Sequence, residues 1–285
     1  MALVSIKKQK VIRKTVQSLW SLITNANLFG FVTGKIYEGP LKRFCVPGMN
    51  CYACPAAVMS CPIGAMQAVL GQRKTKIPFY VIGFLTIIGI FVGRFICGWL
   101  CLFGLIQELL YMIPVPKIIV KKDIDKMLRF AKYIFLFGFC ILAVVLLKTE
   151  FGVTFPYFCK FVCPVGMLEG GIPLLIINEG YRAAAGFLYI WKFVILILII
   201  LLSMTINRPF CKYICPLGAF YSLFQKQSFL RLNVDNELCV QCGACEQHCK
   251  MQVNPSKSPN DKECIRCGEC ISICPKKAIC FKFGK

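Results

Sequence analysis

The sequence predicts an α-helical membrane protein with about four transmembrane helices, followed by a small C-terminal α+β domain held together by metal clusters. Three observations predict it. Hydrophobic residues make up 57% of 285 residues and charged residues only 16%, whereas a soluble domain is about a quarter charged. Apolar runs recur at close to the ~20 residues that cross a hydrocarbon core. Twenty cysteines stand in repeated spacings beside a single histidine, His248, so clustered thiolates carry the chemistry, and in a chain with intracellular segments such clusters read as metal binding. A site needing several imidazoles is excluded.

The formal charge of +21 would suit phosphate neutralisation, but the basic residues flank apolar runs, which is the pattern of membrane topology. No nucleic-acid partner is expected. Part of the charge also suits docking of an acidic electron-transfer protein.

In chain order, Lys7, Lys8, Lys10, Arg13 and Lys14 precede an uncharged stretch, Thr15 to Gly34. It reads as a first span entered from the cytoplasm, with a signal peptide or interfacial helix as the alternative. Further spans are expected at Ile77 to Ile96, Leu128 to Leu147 and Gly186 to Ile206. Four spans place residues 1–15, 97–127 and 207–285 inside and the loops near 37–76 and 148–185 outside. The inner segments hold 5, 4 and 12 Lys plus Arg and the outer loops 5 and 3, so the positive-inside bias favours this orientation, with both termini cytoplasmic. Lys192 is expected to snorkel to the outer interface, and Trp20, Trp99 and Trp191 to act as interfacial anchors. The division is 1–226, the membrane region, and 227–285, a cytoplasmic cluster domain framed by strand-like runs at Phe229 to Val234 and Ala278 to Phe283.

The tail carries Cys239-x2-Cys242-x2-Cys245-x3-Cys249 and then Cys264-x2-Cys267-x2-Cys270-x3-Cys274-Pro275, a duplicated iron-sulfur run in which the fourth Cys serves the other cluster. One 4Fe-4S cluster is therefore assigned to Cys239, Cys242, Cys245 and Cys274, the second to Cys264, Cys267, Cys270 and Cys249. Zinc is the alternative, but it usually takes separated Cys-x2-Cys pairs. Lys250 replaces the usual Pro after Cys249, which softens that turn.

A second pattern, Cys-x3-Cys-Pro-x-Gly, occurs at Cys211 to Gly218 and Cys159 to Gly166, in altered form as Cys97-Gly-Trp-Leu-Cys101-Leu-Phe-Gly104, and in part as Cys61-Pro-Ile-Gly64. Cys97, Cys101, Cys211 and Cys215 fall at inner span ends. Residues four apart share a helix face, so each pair offers two ligands for one inner cluster, and Pro216 opens a helix whose free N–H groups face cluster sulfur. Plain burial of these thiols is the alternative. Outside lie Cys45, Cys51, Cys54, Cys61, Cys159 and Cys163, which supply one 4Fe-4S site with two thiols to spare, or three disulfides. Spacing does not select the four. Cys140 and Cys280 fit no pattern and are expected to pack as small hydrophobes, and Gln107 and Glu108 to lie on a solvated helix face rather than at a quinone headgroup.

The tail resembles bacterial two-cluster ferredoxins, and with the CGWLC, CKFVCPVG and CKYICPLGAFYSLF segments and the Cys-rich first loop the chain resembles the membrane-bound polyferredoxins. Among these are the quinol-oxidising membrane subunit of periplasmic nitrate reductase systems and the membrane regulator of nitrous-oxide reductase. Leu102 stands where that family has Pro, which puts the backbone after Cys101 in doubt. The resemblance implies electron transfer between quinol or a cytoplasmic donor, such as a ferredoxin or a reductase, and an extracytoplasmic redox protein, for instance a flavoprotein. It also implies a bacterial or archaeal cytoplasmic membrane and its lipid.

The reading is an electron conduit, with an assembly or regulatory factor for a metalloenzyme and a quinol-oxidising subunit as alternatives. No nucleophile, base or substrate pocket marks a stand-alone enzyme. Inner and outer clusters a full ~30 Å core apart would not exchange electrons in one hop, so the apolar stretches Cys45 to Met66 and Ile172 to Ile177 are expected to re-enter the membrane, where buried irregular backbone is allowed.

Overall fold

The computed structural model describes residues 2–74, 76–150, 154–183 and 185–284, with side chains from Lys7 onward. It is mostly helical, with one two-stranded antiparallel sheet in the tail, Leu230–Val234 against Ile279–Phe283. The register pairs Leu230 with Phe283, Leu232 with Phe281 and Val234 with Ile279. The period-2 pattern thus puts one apolar face against the cluster-binding loops.

Four helices run between the tail and the cysteine-rich loops at the opposite end: Ala2–Thr24, Phe79–Val92, Lys122–Leu146 and Phe187–Thr205. Lys122–Leu146 and Phe187–Thr205 are long and apolar enough to cross a membrane. At 1.5 Å per residue they measure about 38 and 29 Å, against a core of ~30 Å. Asp123 and Asp125 occupy the first turn of the longer one, where acidic groups suit the helix dipole, and π-type turns cover Phe135–Leu142.

The other two expected spans need correction. Phe79–Val92 is about 21 Å long, because Gly93, at φ 54°, stops it short of Ile96. The first helix starts well before Thr15 and ends at Thr24, ten residues before Gly34. Its basic end is no free cytoplasmic extension: Arg13 is fully buried. One face of this helix reads the length of the molecule, since Gln9 donates to the Cys267 carbonyl, Arg13 to Gly98 O at 3.1 Å and Gln17 to Cys101 O at 3.3 Å. At its far end Thr24 O accepts from Val58 N. Spacings of four keep these donors on one stripe.

The tail is packed into the body. Phe229 N donates to Ile90 O at 2.8 Å, Trp99 Nε1 to Arg266 O at 3.0 Å and Arg266 to Val92 O at 2.8 Å. Trp99 is therefore bound to the tail. Gly98 lies so close to the Ile265 carbonyl that a Cβ there would collide with it, which is why this position of CGWLC has no side chain.

Candidate iron-sulfur sites

The duplicated tail run folds as two copies of one backbone. Gln241 and Arg266, Gly243 and Gly268, and Gln252 and Lys277 occupy equivalent places in the two copies, and all six have positive φ. For non-glycine residues that conformation is uncommon and concentrates at functional sites. Left-handed positions of this kind are what backbone nests for anions are built from. Lys250 in place of Pro does not change the turn, since Gln252 takes the same left-handed position as Lys277. One cavity is lined by Cys239, Cys242, Cys245 and Cys274, and another by Cys249, Cys264, Cys267 and Cys270. Burial raises the Cys264 thiol to about 11 and the Cys267 thiol to about 12, and Arg266 and Arg13 offset part of that rise.

The second motif also recurs as structure. Cys61, Cys101, Cys163 and Cys215 each sit in extended conformation at the N-cap of a helix, before Pro62–Leu70, Leu102–Leu110, Pro164–Ile177 and Pro216–Phe224. Each of these cysteines is followed three residues on by a glycine in the first turn of its helix, and at Cys215 the sulfur accepts from that glycine, Gly218 N, at 3.3 Å. An N-cap normally uses Ser, Thr, Asp or Asn oxygen; at Cys215 a thiol takes the place, and all four thiols stand at the positive end of a helix. Leu102 leaves this geometry intact: Cys101 has φ −79°, ψ 117° and Cys215 φ −62°, ψ 113°. The two thiols of a pair do not share one helix face, because Cys97 and Cys211 belong to the short turns Phe95–Trp99 and Pro209–Tyr213 while their partners begin the next helix.

Cys97, Cys101, Cys211 and Cys215 are buried and interact electrostatically as one group. Arg94 and Arg208, each three residues before a pair, cross over: Arg94 donates to Cys211 O at 3.2 Å and Arg208 to Cys97 O. Gln107 and Glu108, expected on a solvated face, are buried. Gln107 donates to Cys211 Sγ at 3.1 Å, and Glu108 pairs with Arg13 at 2.7 Å and Arg208 at 3.0 Å. The tail and the first helix cover the face that sequence pattern assigned to water.

Three buried carboxylates each hold two cations: Glu108 with Arg13 and Arg208, Glu263 with Arg94 and Lys132, and Asp125 with Arg129 and Lys212. Burial pushes Glu108 and Glu263 up, but their cations more than reverse this and hold both at about 2. The Glu263 and Asp125 triads each hold two cations to one carboxylate, Arg13 of the third is shared with Glu269, and Arg13 Nε, Arg94 Nε, Arg208 Nη2 and Arg266 Nε lack an acceptor among the described residues. Buried excess charge is costly unless matched. Anionic thiolate-bound clusters are the groups that would match it.

At the other end a cavity of about 440 Å³ is lined by Cys51, Cys61, Cys159 and Cys163. Cys45 and Cys54 are buried beside it but do not line it, and no two of the twenty cysteines are disulfide-bonded. Among the described residues no three His, Cys, Asp or Glu side chains converge on a single ion. Lys192 donates to Cys159 O at 3.1 Å and lines this cavity. Cys140 is fully buried as expected, whereas Cys280 is exposed on the edge strand and does not pack.

Met49 joins the two sites, and no sequence pattern marked it. It is buried and lines the 440 Å³ cavity, and the Pro47 carbonyl two residues earlier accepts from Tyr221 at 2.8 Å. Gly48 lies against Cys101, where an added Cβ would come within 3.2 Å of its Cα, and Cys51 is three residues on. Three residues span at most ~11 Å.

Comparison with known proteins bears on the same residues. A family model described as a 4Fe-4S binding domain matches residues 59–80, 78–121 and 189–235. An uncharacterised protein of Methanocaldococcus jannaschii is 33% identical over 225 residues, 77% of this chain and 82% of that protein. The chain belongs to the polyferredoxin family. A second M. jannaschii protein is 30% identical over 215 residues, 75% of this polyferredoxin and 72% of the relative. The methylamine utilization ferredoxin-type protein MauN of Methylorubrum extorquens is 27% identical over 196 residues, 68% of this chain and 57% of that one. No solved structure matches the polyferredoxin. It is a ferredoxin-type 4Fe-4S electron-transfer protein.

Proposed function

We propose that this polyferredoxin conducts electrons across a bacterial or archaeal cytoplasmic membrane, from a reduced cytoplasmic carrier such as a ferredoxin or reductase to an extracytoplasmic redox protein, for instance a flavoprotein. The observation that carries the reading is that the four thiol groups are joined in series by shared ligand runs, one short loop and two close backbone approaches, Gly98 to Ile265 and Gly48 to Cys101. The two tail clusters share their ligand runs through Cys249 and Cys274. Cys264 and Cys97 are each one residue from the Ile265–Gly98 contact, and the Met49 loop ties the inner site to the outer one. Consecutive Cα atoms are 3.80 Å apart, so no step in this series needs a hop of membrane thickness.

The assigned ligands are Cys239, Cys242, Cys245 and Cys274; Cys249, Cys264, Cys267 and Cys270; Cys97, Cys101, Cys211 and Cys215; and four of Cys45, Cys51, Cys54, Cys61, Cys159 and Cys163. The tail faces the cytoplasm, and the N-terminal basic helix, tied to Glu269 through Arg13, lies on the same side. Residues 37–76 and 148–185 lie toward the outside, with the Met49 loop re-entering the membrane. Lys122–Leu146 and Phe187–Thr205 cross fully; Ala2–Thr24 and Phe79–Val92 complete a four-helix membrane region. When bound, the clusters supply one-electron carriers, while the chain supplies their thiolates, the N–H donors and the buried positive charge that favours a reduced, more anionic cluster.

Anaerobic preparation followed by iron and acid-labile sulfide analysis, with EPR, tests the inventory. About sixteen iron atoms per chain are expected from four 4Fe-4S sites. A value near eight, with only interacting ferredoxin-type signals, would leave the tail alone and remove the conduit.

A further inference from the structure

The inner and outer sites are built on one plan. At the inner site Gln107, six residues after Cys101, accepts from Phe210 N at 3.1 Å through Oε1. Its Nε2 donates to Cys211 Sγ at 3.1 Å and to Phe103 O, four residues back. At the outer site Gln67, six residues after Cys61, accepts from Phe158 N at 3.1 Å. Its Nε2 donates to Cys159 Sγ at 3.4 Å and to Ile63 O, again four residues back. Both glutamines are buried. Each thus fixes the first thiol of the opposite pair by the same three contacts, and Cys159 with Cys163 corresponds to Cys211 with Cys215.

The correspondence fails at one position. The inner site takes its fourth thiol from Cys97, four residues before Cys101, whereas the residue four before Cys61 is Ala57. The missing thiol has to come from elsewhere in the first loop. Cys51 lines the cavity, and an added Cβ on Gly166, in the Cys163-Pro-x-Gly turn, would lie 3.7 Å from its sulfur. Its own N–H donates to buried Glu169 at 2.8 Å, which holds that stretch of loop in place. Cys54 faces away, toward Asn25 Oδ1 at 3.9 Å, and Cys45 forms an isolated backbone bridge with Ser60 and does not line the cavity.

We propose that the outer cluster is held by Cys51, Cys61, Cys159 and Cys163, and that Gln67 and Gln107 are matched positioning residues whose amides donate to the thiolate sulfur of their own cluster and raise its potential. This rests on the reading that an outer 4Fe-4S cluster exists. Donation to ligand sulfur stabilises the reduced, more negative state, and in a buried site such a bond is not replaced by water when removed.

The test is a set of single variants of the full chain, analysed anaerobically for iron and by EPR-monitored redox titration. Cys51→Ser, Cys61→Ser, Cys159→Ser and Cys163→Ser should each lose about four iron atoms, one cluster, and Cys45→Ser and Cys54→Ser none. Gln67→Met should keep full iron and move one midpoint to more negative potential, while Gln107→Met moves a different one. Full iron in Cys51→Ser with loss in Cys45→Ser or Cys54→Ser overturns the ligand set. Unmoved midpoints in both Met variants overturn the glutamine role. Should Cys51→Ser fail to fold, iron removal from the wild-type protein should unmask Cys51 to a small alkylating reagent and leave Cys54 unchanged; the reverse refutes the assignment. Wild-type iron near twelve atoms, with no outer signal, would instead show that the outer cluster itself is absent.

Discussion

Glu263→Gln is expected to destabilise the protein by about 3–5 kcal/mol, because it strips from two buried cations the carboxylate that pairs with both among the described residues. Glu263 holds Arg94 at 2.6 Å and also Lys132, and all three are buried. It is the residue directly before Cys264, while Arg94 reaches the Cys211 carbonyl. The same triad therefore clamps the tail to the inner site, and the variant should show a lower denaturant midpoint together with faster loss of tail iron. The pH dependence has a definite sign. Glu263 is held at about 2 in the folded protein, from an ordinary 4.5. A depressed carboxyl stabilises fully above the unfolded value and loses that contribution as pH falls from about 4.5 toward 2. Wild-type stability should therefore fall through this window, and Glu263→Gln should show a shallower fall, with a residual slope from Glu108, also held at about 2. Equal stability of variant and wild type at neutral pH would show that the triad contributes nothing net.

Cys211→Ser is expected to abolish electron passage between the tail and the outer site while leaving both ends reducible. Cys211 is the thiol fixed by Gln107 and backed by the Arg94 contact to its carbonyl, so its loss empties the one site between the Ile265–Gly98 contact and the Met49 loop. Rapid-mixing reduction by a cytoplasmic-type ferredoxin, followed by freeze-quench EPR, should show normal reduction of the tail clusters and no reduction of the outer one. Reduction of the outer cluster at the wild-type rate would place the inner site off the path.

What could be read from the residues was whatever repeats locally. In the tail the spacing alone groups the thiols, with Cys249 and Cys274 exchanged, because ligand order along a duplicated run is a local constraint. Lys122–Leu146 and Phe187–Thr205 were legible from apolar length. The first helix was displaced because Lys and Arg at an apolar flank read as solvated, whereas Arg13 meets Glu108 and Glu269, residues 95 and 256 positions away. Gln107 and Glu108 were assigned to water for the same reason: the surfaces that cover them come from remote parts of the chain. Met49 and the choice of Cys51 over Cys54 depend on the path of an irregular loop, which carries no periodicity. One signal was present and unused. Aligning Cys61 on Cys101 places Gln67 on Gln107, and the contacts show that the two do the same thing.

The most direct test of the account is transmembrane reduction in sealed vesicles. The intact polyferredoxin, with all clusters loaded, is reconstituted with reduced ferredoxin on the side that exposes the tail and a trapped flavin acceptor on the other. The account predicts reduction of the trapped flavin that requires the protein, proceeds from the tail side and disappears in Cys211→Ser vesicles. No flavin reduction, with every cluster present and reducible by a small chemical reductant, would contradict the conduit and assign the same clusters to assembly or sensing.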